Sequence, residues 1–291
     1  MKMAVFWGCR ILTSQYTYEM SLRQVFPKLG VELVDLRDAT CCGDPVKSIN
    51  IFAADYLAAR ALALANLTGL TDLLIPCNRC HFTISEAKHK IGIDKKLSSK
   101  IAEYLKEEGL EYNSDIKVWH VIDFLHDTVG LKKIREVSKK QLEGLKLASH
   151  TGCQIIRYSD LGRSDDAENP RKLDELITVL GAETVDYAEK LDCCGAALTY
   201  SHQDAALSLA GSKIKALQGL DVDALVVCCP NGQMMFDSKQ KDAGTAVGVK
   251  LDLAVLYYSQ LLGLALNIEA EKLGLHLNQS PVNNLLAKIP A

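Results

Sequence analysis

The pattern of apolar and polar positions divides this chain into two copies of one alternating layout. In the first copy, a short apolar strand over residues 4–6 runs into Gly8-Cys9. A helical segment over 15–29 and a strand at Glu32–Asp35 follow. Residues 51–68, IFAADYLAARALALANLT, repeat their apolar positions at helical spacing. Asp72–Ile75 is a short run of the kind found in buried parallel strands. The second copy repeats this order, with a strand over 145–148, a helix over 170–180, a strand over 184–186, a helix over 203–217 and a buried strand at Ala224–Val227. Strands alternating with helices predict an α/β fold of two pseudo-repeated domains, each a small parallel sheet flanked by helices. Residues 1–144 form the first expected domain and 145–291 the second, with a C-terminal tail. The stretch 95–143 reads as charged and helical apart from a strand at Lys117–His120, and its Lys-Glu-Glu and Lys-Lys runs read as solvated faces. The tail, 263–291, is expected to pack across the surface in short amphipathic pieces.

Cysteine follows the same duplication. The first half carries Cys9, the doublet Cys41-Cys42 and Cys77-Asn78-Arg79-Cys80. The second carries Cys153, the doublet Cys193-Cys194 and Cys229-Pro230-Asn231-Gly232. A shift of 152 residues superposes Cys41, Cys42 and Cys77 on Cys193, Cys194 and Cys229, and sets Cys80 on Gly232, which has no thiol. All these cysteines fall after expected strands, on loops at strand carboxyl ends, where sites in α/β folds converge. Gly8, Gly43, Gly152 and Gly195 sit beside them, and glycine allows backbone to approach a bulky group.

Composition narrows the chemistry. With 48% hydrophobic and 24% charged residues, the chain is able to bury a substantial core. A net charge of −3 gives no bulk attraction to nucleic acid. The apolar runs are too short and interrupted to span a bilayer. The N-terminus reads as a strand, not a signal peptide, so a cytoplasmic location is expected, where thiols stay reduced. That argues against disulfides for the ten cysteines, and adjacent cysteines make poor disulfides in any case. Zinc is the weaker alternative: five thiols exceed a tetrahedral site, although the second half leaves it more open. Iron–sulfur clusters, held by thiolates from several directions, fit the pattern better.

The spacing Cys-x31-Cys-Cys-x34-Cys-x-x-Cys resembles the CCG motif, and the chain is similar end to end to the B subunit of heterodisulfide reductase. The similarity includes Leu142-Glu143-Gly144-Leu145, the segment from Pro170 to Leu176 and the segment from Leu261 to Leu266. The resemblance implies two [4Fe-4S] clusters facing one pocket, where a small disulfide is split into thiols. It also implies electrons exchanged through a ferredoxin-like C subunit and a flavin-containing A subunit. On this reading Cys9, Cys41, Cys42, Cys77 and Cys80 hold a noncubane [4Fe-4S] cluster. Cys153, Cys193, Cys194 and Cys229 hold a four-cysteine [4Fe-4S] cluster whose type, cubane or noncubane, stays open. Cys228 is either a substitute ligand or a strand-end core cysteine, with the core reading preferred because neighbours on a strand point to opposite faces. Gln154 stands where the family commonly has His, and Gln does no acid–base work. His150 is expected to be packed. His81 is the remaining candidate for proton delivery or a hydrogen bond to sulfur. Arg10, Arg79 and Arg157 lie within four residues of a ligand cysteine, and the first two join His81 as candidate catalytic residues for an anionic substrate. The departures place the chain closer to Hdr-like assemblies of sulfur metabolism than to the methanogen enzyme. A relay protein with no substrate of its own, like the CCG partner of some succinate dehydrogenases, is the alternative.

Overall fold

A computed structural model describes residues 1–158, 161–162 and 165–289. The expected residues 290–291 of the tail lie outside them. The first half runs β1 (Lys2–Val5), α1 (Cys9–Thr13), α2 (Tyr16–Lys28), β2 (Glu32–Asp35), α3 (Ile51–Leu67), β3 (Asp72–Ile75), α4 (Asn78–Ile93), α5 (Lys95–Glu107) and β4 (Lys117–His120). A short helix α6 (Val121–Asp123) continues as a π-helical turn over Phe124–Val129, and α7 (Leu131–Val137) leads to the second half. There the order is β5 (Lys146–His150), α8 (Lys172–Thr178), β6 (Glu183–Thr184), α9 (Gln203–Gln218), β7 (Ala224–Val227), α10 (Pro230–Gln233), α11 (Gln240–Ala246), β8 (Ala254–Tyr257), α12 (Tyr258–Ala265) and α13 (Asn283–Lys288).

Two four-stranded sheets result, ordered β2-β1-β3-β4 and β6-β5-β7-β8, with every pair parallel. In each sheet the strand order reverses beside the first strand, between β1 and β3 or between β5 and β7. Crevices at strand carboxyl ends form at such points. β7 and β8 are buried along their whole length and consist of uninterrupted apolar residues. The edge strand β2 stays half-exposed and carries Glu32 and Asp35.

The halves share one continuous hydrophobic core. Its seam joins α2 to the region around β8 and α12. Tyr18 stacks on Tyr257 with ring centroids 3.9 Å apart and planes 7° apart. Ser21 and Ser259 meet at 2.6 Å, and the Tyr257 hydroxyl donates to Gln15 Oε1 at 3.1 Å. The expected surface course of the tail differs here. Residues 258–265 form α12, whose residues are all buried. A helix apolar on every face belongs inside a fold, and the run from Leu261 to Leu266 is such a sequence.

Candidate metal centres

Each cysteine set is assembled by three strand ends of one sheet. Cys9 opens α1 after β1, Cys41 and Cys42 follow β2, and Cys77 precedes α4 at the end of β3. Cys153, Cys193-Cys194 and Cys229 hold the equivalent places after β5, β6 and β7. Gly43 and Gly195 turn the chain after each doublet at φ of +92° and +81°. A Cβ there would lie 2.9 Å from Ala54 Cα or Ala206 Cα, so only glycine lets each doublet seat against the following helix.

The thiols form linked series. In the first half, Cys9 contacts Cys41, Cys41 contacts Cys42, Cys42 contacts Cys80 and Cys80 contacts Cys77. In the second, Cys153 contacts Cys193, and Cys193 contacts Cys194. Hydrogen bonds from the Cys41 and Cys80 thiols bring Cys42 down to about 5 against the effect of burial. Those from Cys153 and Cys194 bring Cys193 down to about 2, with a further bond from the Gly195 N–H at 3.3 Å. Cys77 is held well below its ordinary value by the Cys229 and Cys80 thiols and by the N–H groups of Cys80 and Arg79 at the start of α4. The Cys77–Cys229 contact joins the two sets across the seam.

The donors are sulfur alone, a soft set suited to thiophilic metals and clusters and poorly suited to Mg²⁺ or Ca²⁺. Among the described residues no three His, Cys, Asp or Glu side chains converge on a single-ion site. Serial thiols at three strand ends, with the chain turned tightly beside them, fit a group larger than one ion. A thiolate set of this kind suits iron–sulfur chemistry.

The two centres are not equivalent. A cleft of about 60 Å³ opens at the second, lined by its four cysteines, Gln154, His150 and Gly232 and by Asn78 and Arg79 from the first half. Asn78 Nδ2 donates to the Thr151 carbonyl at 2.8 Å. Cys228 is fully buried, its thiol 3.1 Å from the Thr151 carbonyl and its own carbonyl accepting from the Tyr18 hydroxyl. Burial pushes that thiol up, and it donates to the Thr151 carbonyl and lies 4.0 Å from Asn78 Oδ1. His150 is buried as expected and bonded through Nδ1 to Lys213 Nζ at 3.0 Å.

The candidate catalytic residues have defined surroundings. Arg10 Nη1 reaches Met234 Sδ at 2.8 Å, across the seam. Arg79 pairs with the buried Asp44 carboxylate, which also accepts from Thr83 at 3.3 Å. Arg157 is turned to the Leu191 carbonyl at 2.7 Å. His81 packs edge-on against His120, with ring centroids 5.6 Å apart, and burial lowers it to about 3. The sequence reading did not anticipate Asn78, Lys213 or the Cys77–Cys229 contact. Asn78 had one available signal, its place inside Cys77-Asn78-Arg79-Cys80.

Comparisons with known proteins agree with this architecture. The cysteine-rich domain (CCG) family matches twice, over residues 3–85 and 147–237. The B subunit of the ferredoxin/F420H2-dependent CoB-CoM heterodisulfide reductase of Methanosarcina acetivorans is 33% identical over 99% of this chain and 97% of its own length. The 8-methylmenaquinol:fumarate reductase membrane anchor subunit of Wolinella succinogenes is 30% identical over 94% of this chain and 95% of its own. No helix among the described residues here is long and apolar enough to cross a membrane. A hypothetical protein from Helicobacter pylori shares the fold, with a TM-score of 0.77 at 17% identity; the match covers 97% of this chain and 52% of that one. With both halves matched and the relatives aligned nearly end to end, the chain belongs to the CCG cysteine-rich domain family of heterodisulfide reductase B subunits.

Proposed function

We propose that this protein is the iron–sulfur B subunit of a heterodisulfide reductase-type complex, working in the cytoplasm on a small thiol or disulfide. Cys9, Cys41, Cys42, Cys77 and Cys80 would hold a noncubane [4Fe-4S] cluster. Cys153, Cys193, Cys194 and Cys229 would hold a second [4Fe-4S] cluster with four thiolates. The buried, carbonyl-bound thiol of Cys228 favours its core role. The observation that supports this reading is the meeting of the two thiol series at Cys77 and Cys229, across the seam between the halves.

When bound, iron–sulfur clusters supply or accept electrons one at a time. The net reaction is RSSR′ + 2 e⁻ + 2 H⁺ → RSH + R′SH, or its reverse. Arg79, at the crevice, would hold an anionic substrate while Asp44 fixes the guanidinium. Arg10 would act from the first set, its side chain anchored on Met234. His81, packed on His120, is suited to a neutral hydrogen bond beside Cys80. Leu12, Ile49, Ile51, Tyr158 and Tyr200 are exposed on segments following the cysteine positions. Apolar side chains at such places suit docking of the ferredoxin-like C subunit, with the flavin-containing A subunit beyond it.

A second reading is a relay protein with no substrate of its own. It is favoured by Gly232 and Gln154 at the second centre and by the likeness to the W. succinogenes protein. Adding small thiols to the oxidised protein separates the two. Disulfide chemistry predicts a new paramagnetic cluster–thiol signal. Its absence, with normal electron transfer to a partner, would exclude the reductase reading and leave the relay.

A further inference from the structure

Packing and register define which residues of the two halves correspond. Gly43 packs on Ala54 as Gly195 packs on Ala206, so Ala61 of α3 corresponds to Lys213 of α9. Val5 pairs with Leu74 as Ser149 pairs with Val226, so Phe6 corresponds to His150. An apolar pair behind the first centre is thus replaced by a lysine and a histidine behind the second. Lys213 is 1% exposed and His150 4% exposed.

The bonds of Lys213 fix the state of the histidine. Its ammonium group donates to His150 Nδ1 at 3.0 Å, to the Lys190 carbonyl at 3.1 Å and to the Asp192 carbonyl at 2.8 Å. An ammonium accepts nothing, so Nδ1 is the acceptor and the ring proton sits on Nε2. The His150 ring lines the cleft, with Cδ2 next to Nε2. The adjoining Cδ2 lies 3.5 Å from where a Cβ on Gly232 would stand, the position that carries the Cys80 thiol in the first half.

Lys213 makes no ion pair with a carboxylate among the described residues. A buried cation is costly unless negative charge lies near. Burial lowers Lys213 to about 8, and Cys194, Asp192, Cys193 and Glu189 offset that effect only in part.

We propose that Lys213 and His150 form a cationic hydrogen-bonding support behind the second centre, beside the place of the missing thiol, and raise that centre's reduction potential. The inference rests on the two-cluster reading. Net charge and hydrogen bonds to sulfur both tune cluster potentials. At the first centre Phe6 and Ala61 stand in the places of His150 and Lys213 and supply neither. Lys213 and His150 are positioning residues, since neither is a ligand.

The test is a redox titration followed by electron paramagnetic resonance on the intact protein and its Lys213→Met and His150→Phe variants, with iron measured in each. Cys80→Ser identifies the first centre's wave. The expected result is a shift of the second wave to more negative potential in Lys213→Met, a smaller shift in the same direction in His150→Phe, and an unmoved first wave. Lys213→Gln serves if Lys213→Met fails to fold. Unchanged potentials at unchanged iron content, or equal movement of both waves, overturn this proposal and leave the two-cluster reading intact. Iron near half the two-cluster value in the unaltered protein overturns both.

Discussion

The seam between the halves sets the separation of the two cysteine series, and Tyr18 is its central side chain. It is 1% exposed, stacked on Tyr257 at 3.9 Å, and donates to the Cys228 carbonyl at 3.1 Å. Truncating a fully buried aromatic to alanine costs about 3–5 kcal/mol, since the vacated volume refills only in part. The hydroxyl contribution separates cleanly: Tyr18→Phe keeps the stack and loses one buried hydrogen bond, about 1 kcal/mol. Urea unfolding checks both values. Trp7 and Trp119 are the only tryptophans and lie in the first half, so fluorescence reports that half and far-ultraviolet circular dichroism the whole chain. With one continuous core, both probes are expected to move together in the wild type and in Tyr18→Phe. A Tyr18→Ala loss below about 1 kcal/mol, or a fluorescence transition that shifts away from an unmoved second one, would refute the argument that the seam binds the halves into one unit.

Further outcomes follow from particular contacts. Gly195→Ala forces a positive φ on a residue with a Cβ and pushes that Cβ toward Ala206 Cα at 2.9 Å; a loss of about 2 kcal/mol or more is expected in the same unfolding assay. His126 contacts Asp127 at 2.6 Å through Nδ1 and Glu175 at 2.8 Å through Nε2, and these bonds raise its pKa against the effect of burial. The protonated ring is favoured by folding, so its contribution is complete below about pH 6.5 and is lost as pH rises through the higher folded value. The unfolding midpoint should fall across that window, and His126→Gln should flatten the fall. Gly232→Cys places its Cβ at ordinary contact, 3.5 Å from His150 Cδ2 and 4.0 Å from Cys229 Cβ, so the variant should fold. Its added thiol should change the spectrum of the second centre, and an unchanged spectrum would show that the missing thiol is not what distinguishes that centre.

The central strands Asp72–Ile75 and Ala224–Val227 were legible because parallel strands buried on both faces leave compact apolar runs. Glu32–Asp35, Asp72–Ile75, Lys117–His120 and Ala224–Val227 form strands with the expected limits, and the helix expected over 51–68 spans Ile51–Leu67. The strand expected at 184–186 is instead the two-residue β6 at Glu183–Thr184, a short edge with little to bury. β8 was not legible. It passes into α12 without Gly or Pro, and the boundary is made by a reciprocal cap between Tyr257 and Gln260. Spacing placed every cysteine on a loop after a strand, whereas Cys9 and Cys80 lie in the first turns of α1 and α4; it carried no information on how the repeats face each other, which is why the Cys77–Cys229 contact escaped it. Lys213 escaped for a different reason. A lysine in an amphipathic helix reads as solvated, and only its three buried acceptors show that it is enclosed.

Iron analysis combined with electron paramagnetic resonance, on protein purified without oxygen, tests the central claim most directly. Two four-iron centres predict about eight iron atoms per chain and two separable cluster signals, with Cys80→Ser altering one of them and Cys193→Ser the other. About four iron atoms with one zinc, or zinc alone, would contradict the account.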